Sequence, residues 1–230
     1  MKRSLFLLSA CQALMVTALV ILGTSSALIG NALATSKALA TLPVTLQFLA
    51  TMTMAIPASM LMGRVGRKKG FLVGSALGLL GAAVAMLAIE SHSFALFCLA
   101  TLLIGSFSGF GNYFRFAAVD VVPEAQRSRA ISLVLAGGVL AAIAGPNLAT
   151  ATRLWMPAKP FLGTMLVALL LYALISVLLL FIRIPAPAAD GVDQPARRLR
   201  SIVIQPSFVV ALVAGMLGYS VMVLVMTATP

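Results

Sequence analysis

Seven runs of about 20 or more mostly apolar residues follow one another along this chain of 230 residues, most of them separated only by short polar connectors. Each run is long enough to cross the roughly 30 Å hydrocarbon core of a bilayer as an α-helix. A water-facing globule fails on composition, because 61% of the residues are hydrophobic and only 9% are charged. Soluble domains carry about 25% charged residues. There is too little polar surface to wrap a globule, so the expected fold class is all-α and integral to the membrane.

The spans fall at about residues 5–28, 40–62, 70–89, 94–118, 130–150, 161–182 and 202–226, the first with room to extend toward Ala34. Pro57 is read as lying near the end of the second span. Trp155, in the connector before the sixth span, suits a membrane–water interface, and Pro157 and Pro160 beside it break helix. The longest connector, 183–201, is rich in Pro, Ala and charge. The organisation expected is a six-helix bundle at 1–182, that connector at 183–201, and a seventh helix within 202–230.

Lys2 and Arg3 ahead of an apolar run imitate a signal peptide, and Leu8-Ser9-Ala10-Cys11 imitates a lipoprotein cleavage box. Too few residues separate Arg3 from that box for a signal-peptide core, and the apolar run continues past it, which favours an uncleaved first helix. Cys11 and Cys98 lie inside spans, where cysteine packs as a small hydrophobe. The lone histidine, His92, sits in a short connector and cannot build a zinc site by itself. No metal, no cofactor and no catalytic set is expected.

The formal charge of +11 raises the question of nucleic acid, but the positives sit in short connectors and not on one solvated face. If the spans alternate, twelve cations fall on one side: Lys2 and Arg3, then Arg64, Arg67, Lys68 and Lys69, then Arg127 and Arg129, then Arg183, Arg197, Arg198 and Arg200. Lys37, Arg153 and Lys159 fall on the other, with Arg115 in or near the end of the fourth span. A Lys/Arg excess marks the cytoplasmic side, so the N-terminus and the long connector are expected in the cytoplasm. A wrong span count would scramble this pattern.

Between the second and third spans lies GRVGRKKG, residues 63–70. An ordinary positive-inside loop accounts for its charge. Its R-x-G-R-K core, directly after the second of six spans, also resembles the best-known motif of the major facilitator superfamily of transporters, roughly G-x-x-x-D-R-x-G-R-R/K-x-x. That pattern falls on Ser59, Gly63, Arg64, Gly66, Arg67, Lys68 and Phe71, with Ser59 replacing the leading glycine and Gly63 the aspartate. In the fifth span, Gly145-Pro146 with Ala141, Ala149 and Thr150 is similar to the family's antiporter-type motif G-x-x-x-G-P-x-x-G-G, with three glycines substituted. Pro146 removes a helix donor and small neighbours admit another helix, so a plain packing kink is the competing reading. Asp120 and the following Pro123, Arg127 and Arg129 resemble the acid, proline and basic residues that often close the family's fourth helix. Many members carry an arginine four residues before a glycine in that helix, whereas here Thr101 precedes Gly105.

The resemblance implies a six-helix bundle of the superfamily's type followed by the first helix of a second bundle. It also implies a gating set of Arg64, Gly66, Arg67, Lys68, Asp120 and Arg127, in which Asp120 pairs with Arg67 in one transport state and not in another. The bland alternative is a solvated charge worth roughly 0–1 kcal/mol. Gly70, Gly74 and Gly78 form a small-residue stripe for close helix packing, and Gly105, Gly109 and Gly111 thin the fourth span similarly.

Polar residues stranded inside spans are the candidates for a substrate cavity: Gln12, Gln47, Asn112, Tyr113 and Asn147, each equally able to bond a neighbouring helix. Arg115 argues for an anionic group if it lies deep. It is only five residues from Asp120, and the snorkelling, interfacial reading is preferred. All five acids lie in connectors or at span ends, so a proton-coupling carboxylate is expected elsewhere, in a second half, unless the protein is a facilitator. By that resemblance the chain reads as the N-terminal half plus one helix of a small-solute transporter, expected in the inner membrane of a bacterial-type cell. Its expected partners are the substrate, the bilayer and the C-terminal half of the same protein. The alternatives are a membrane enzyme, for which clustered His or acids are wanting, and a non-transporting sensor or assembly factor.

Overall fold

The structure, a computed structural model, describes residues 2–157, 159–184 and 205–228. Eight α-helices appear among them: α1 (Lys2–Leu33), α2 (Leu42–Val65), α3 (Arg67–Glu90), α4 (Phe94–Gly111), α5 (Phe114–Asp120), α6 (Arg127–Thr152), α7 (Leu162–Phe181) and α8 (Pro206–Ala228). No strand occurs among the described residues. Six stretches are long and apolar enough to cross a membrane: Arg3–Leu33, Lys37–Val65, Arg67–Glu90, Phe94–Asp120, Glu124–Thr152 and Leu162–Phe181. A shorter apolar helical stretch follows at Pro206–Val221. The protein is an all-helical, multi-pass membrane protein.

The chain divides into two units, Met1–Pro187 and Ala188–Pro230. Most of the connector placed at 183–201, with Asp190, Asp193, Arg197, Arg198 and Arg200, lies outside the described residues, as does the start of the seventh span at 202–204. Within the second unit, α8 carries exposed Val210, Leu217 and Val221.

In the first unit α1 packs most extensively on α6, α4 lies between α2 and α3, and α7 contacts both α3 and α1. Glycines set the spacing of these helices. A Cβ at Gly74 would come within 2.7 Å of Phe110, and one at Gly78 within 3.0 Å of Phe107, so the third-span stripe seats the aromatic side chains of α4. Phe107 in turn meets the fully buried Tyr172 of α7 edge-on, with ring centroids 5.4 Å apart. Gly137 and Gly145 do the same for α6, lying against Ala13 and Val20 of α1.

Three boundaries differ from the sequence reading. The connector at 63–70 is helical except at Gly66, since α2 continues to Val65 and α3 starts at Arg67. Charges end the hydrocarbon-crossing part of a helix without ending its hydrogen bonding, and Pro57 accordingly lies well inside α2. The connector at 120–129 is likewise mostly helical, with Asp120 closing α5 and Arg127 opening α6.

The third difference is a break in the fourth span between α4 and α5, at Asn112 and Tyr113. The chain tightens there: Asn112 N–H still donates to Ser108 O at 3.1 Å, but Tyr113 N–H turns to Phe110 O at 3.0 Å. Gly109, Gly111 and Asn112 are weak helix formers. The Tyr113 hydroxyl pins the break to α2 by donating to Ala55 O at 3.0 Å.

Candidate functional site

Gly66 joins α2 to α3 with φ 89° and ψ 153°, a conformation open essentially to glycine alone. Its N–H still donates to Met62 O at 3.0 Å, so the reversal begins on the last turn of α2. This one residue decides where the following three cations point. Gly66→Ala is expected to cost on the order of 1–3 kcal/mol, read as a lower thermal midpoint of the purified protein. An unchanged midpoint would show that the turn relaxes freely.

Arg67, the first residue of α3, places Nε 2.5 Å from Oδ2 of Asp120, the last residue of α5. The structure thus brings together the two residues that the family resemblance pairs. Their side chains are 28% and 36% exposed, so solvent screens the pair and its net worth is at most about 1 kcal/mol. An interaction that weak can hold one arrangement without locking it. Lys68 goes elsewhere: its Nζ donates to Leu180 O at 2.7 Å, tying the start of α3 to the last turn of α7. A cation at a helix C-terminus satisfies a carbonyl that has no partner within the helix.

The remaining members of the expected gating set do not converge on that pair. Arg64 is exposed in the last turn of α2 and forms no ion pair among the described residues. Arg127 makes a local, exposed pair with Glu124 at 3.0 Å. Gly63 has open space around it, with nothing within 4 Å of an added Cβ, so sterics do not exclude the family's aspartate there. Thr101, where many members carry arginine, is fully buried and donates to Cys98 O on its own helix at 2.9 Å.

The cavity candidates separate by face. Asn112 and Arg115 are both exposed and flank the α4/α5 break, with the Arg115 guanidinium 5.0 Å above the Phe116 ring. Phe116 is itself exposed. Gln12 is half-buried on α1, one turn from Met15, whose sulfur packs against Gly111, and its Oε1 has no hydrogen-bond partner. Gln47 is buried on α2, also with an unpartnered Oε1, and its backbone carbonyl backs onto Gly105. Asn147 faces outward but turns its Nδ2 to Ile143 O at 2.7 Å on its own helix. Pro146 lies inside α6, and Gly145 beside it admits Val20 of α1.

At the other end of the bundle the sequence reading missed a pair, Lys159 Nζ to Glu90 at 3.2 Å, which fastens the segment before α7 to the end of α3. Both residues were legible as connector charges, but nothing in their spacing signalled a partnership across 69 residues.

A profile of the Major Facilitator Superfamily matches residues 5–230. The chain belongs to that superfamily. Among its relatives, the riboflavin transporter RfnT of Brucella anthropi is 34% identical over 231 aligned residues, covering 100% of this chain and 58% of that protein. An uncharacterized MFS-type transporter of Bacillus subtilis, YdeG, is 31% identical over 147 residues, covering 64% of this chain and 34% of that protein. The chain thus spans little more than half the length of the first of these superfamily members and a third of the second. The Arg67–Asp120 pair lies within the region that the profile matches.

Proposed function

We propose that this chain is the first bundle of an alternating-access carrier for a small solute, and not an enzyme. The observation that carries the reading is the Arg67–Asp120 pair, formed between the R-x-G-R-K segment and the end of the fourth span. It ties two helix ends together at the cation-rich end of the bundle, where the family resemblance places a latch that forms in one transport state. The transporter names of both relatives support it. The gating set is Arg67 and Asp120, with Lys68 bracing α7, Gly66 setting the turn, and Arg64 and Arg127 as surface cations on the same end. The charge asymmetry supports a cytoplasmic N-terminus, and the family resemblance implies a place in the cell's inner membrane.

A second bundle, of which α8 is the first helix, completes the carrier in this reading. The least buried spans, α2 and α6, would face it or lipid. They expose Leu49, Met52 and Ile56, and Val139, Leu140 and Ile143. Asn112 and Arg115, exposed at the break in the fourth span, are the polar groups with the most open access to a solute. Gln47, which is buried, and Asn147, which is satisfied within its own helix, have weaker claims, while the half-buried Gln12 keeps an unpartnered Oε1.

The fold itself does not choose a substrate. The relative named as a riboflavin transporter makes riboflavin the solute to test first. Expressed at full length in cells that can neither make nor import riboflavin, the protein is expected to restore growth at low external riboflavin. It should also give saturable uptake of labelled riboflavin. Uptake at the vector level, with normal amounts of protein in the membrane, rejects that substrate.

A further inference from the structure

The ends of α1, α3, α5 and α7 border an open cavity of about 780 Å³ at the cation-rich end of the bundle. Three cations from three separate segments line it: Arg3 at the start of α1, Lys68 at the start of α3, and Arg183 just beyond α7. The mouth is a built structure. Ser4 is 9% exposed, and its hydroxyl donates to Arg183 O at 3.1 Å, which fixes the chain after α7 against α1. Lys68 is held over the end of α7 by Leu180 O at 2.7 Å. Among the described residues the only acid in the lining is Asp120, and Arg67 already engages it. Arg3 and Arg183 form no ion pair among the described residues. Among the described residues the cavity therefore carries an excess of positive charge.

Its other wall is apolar. Leu180 and Phe181 line it and are each 59% exposed, on the last turn of a helix that crosses the membrane. Cations above an exposed apolar flank, at the depth where a membrane helix ends, match a phosphate with an acyl chain below it. A soluble anion would use the cations and leave the flank idle. We propose that this cavity binds the phosphate headgroup of an anionic phospholipid, with an acyl chain lying along Leu180 and Phe181. Basic pockets between membrane helices recognise lipid headgroups by the same chemistry. The bound phosphate would sit beside Lys68, one residue from Arg67, so the lipid would brace the helix end that carries the gating pair. The inference rests on the membrane location and not on transport, so its failure leaves the carrier reading untouched.

The test is native mass spectrometry of the full-length protein, purified in detergent and exposed to phosphatidylglycerol, phosphatidylcholine or inorganic phosphate. The expected result is retained phosphatidylglycerol with about a tenfold preference over phosphatidylcholine. The double substitution Arg3→Gln with Arg183→Gln should abolish the preference. Lys69→Gln with Arg129→Gln removes the same charge from two exposed cations outside the cavity and should keep it. Arg183→Lys, which preserves the charge, should also keep it, and all variants are compared as monodisperse helical protein. Equal loss in the two double variants would mean that net charge alone attracts the lipid and would overturn the proposal. So would saturation by inorganic phosphate without retention of lipid.

Discussion

Replacing Arg67 with alanine is expected to lower the maximal rate of solute uptake about fivefold while leaving membrane insertion and thermal stability nearly unchanged. The two halves of that statement follow from one magnitude. The pair with Asp120 is partly exposed, so removing it changes stability by no more than about 1 kcal/mol. Two transport states that interconvert in every cycle must lie within a few kcal/mol of each other. A bias of about 1 kcal/mol then redistributes them about fivefold.

The contact joins the first residue of α3 to the last of α5, so it reports on the relative placement of two helix ends and not on either helix alone. Arg67→Glu should do more harm, because it sets two carboxylates against each other. Adding Asp120→Arg should restore part of the rate by rebuilding the pair with its charges exchanged. The measurement is initial uptake in vesicles, normalised to inserted protein, for both single variants and the double. Strict additivity would sink the idea that these residues act as a unit, since coupled residues depart from additivity. Wild-type uptake by Arg67→Ala would remove the gating role altogether.

Much of this architecture was legible in the sequence because hydrocarbon thickness is a hard ruler. Runs of about 20 apolar residues gave the six spans and the shorter seventh, and the placing of charge gave their alternation. The meeting of Arg67 with Asp120 was accessible by the same logic: alternation sets both at one end, and the resemblance names both. What happens along a helix was less legible. Hydropathy marks where a helix leaves the hydrocarbon, not where its backbone stops, so GRVGRKKG read as a loop although only Gly66 lies outside a helix.

Partners that are backbone atoms leave no trace in residue identity. Lys68 finding Leu180 O and Tyr113 finding Ala55 O depend on how helices distant in sequence lie together. Nor does a polar residue within a span announce its face. Gln47 and Asn112 look alike in the sequence, yet one is buried on α2 and the other is exposed at a break in the fourth span. That break depends on Tyr113 reaching α2 as much as on the weak helix formers before it, and only the weak formers are visible locally.

Gly105→Val is expected to prevent assembly of a stable bundle, and even Gly105→Ala should lower the thermal midpoint measurably. A Cβ at this position would run into the backbone carbonyl of Gln47 and stand 3.0 Å from the Ala50 side chain. Backbone has no rotamer with which to yield, so α2 and α4 would have to separate. Separation would also stretch the bond from the Thr51 hydroxyl to Gly105 O, now 3.0 Å, and the one from Tyr113 that pins the α4/α5 break to α2. Overpacking typically costs about 1–3 kcal/mol, and the lost hydrogen bonds add to it. Between membrane helices, where lipid is as apolar as the side chains, close packing is itself the force that holds the bundle together. The control is Gly63→Ala, where an added Cβ meets nothing within 4 Å. It should leave the midpoint in place or raise it slightly, since alanine is the better helix former. Fluorescence-detected size-exclusion after stepwise heating gives the comparison on unpurified protein. Equal midpoints for Gly105→Ala and Gly63→Ala would mean that α2 and α4 are not held at the spacing the structure assigns. The fourth span, with Asn112 and Arg115 at its break, would then have to be placed anew.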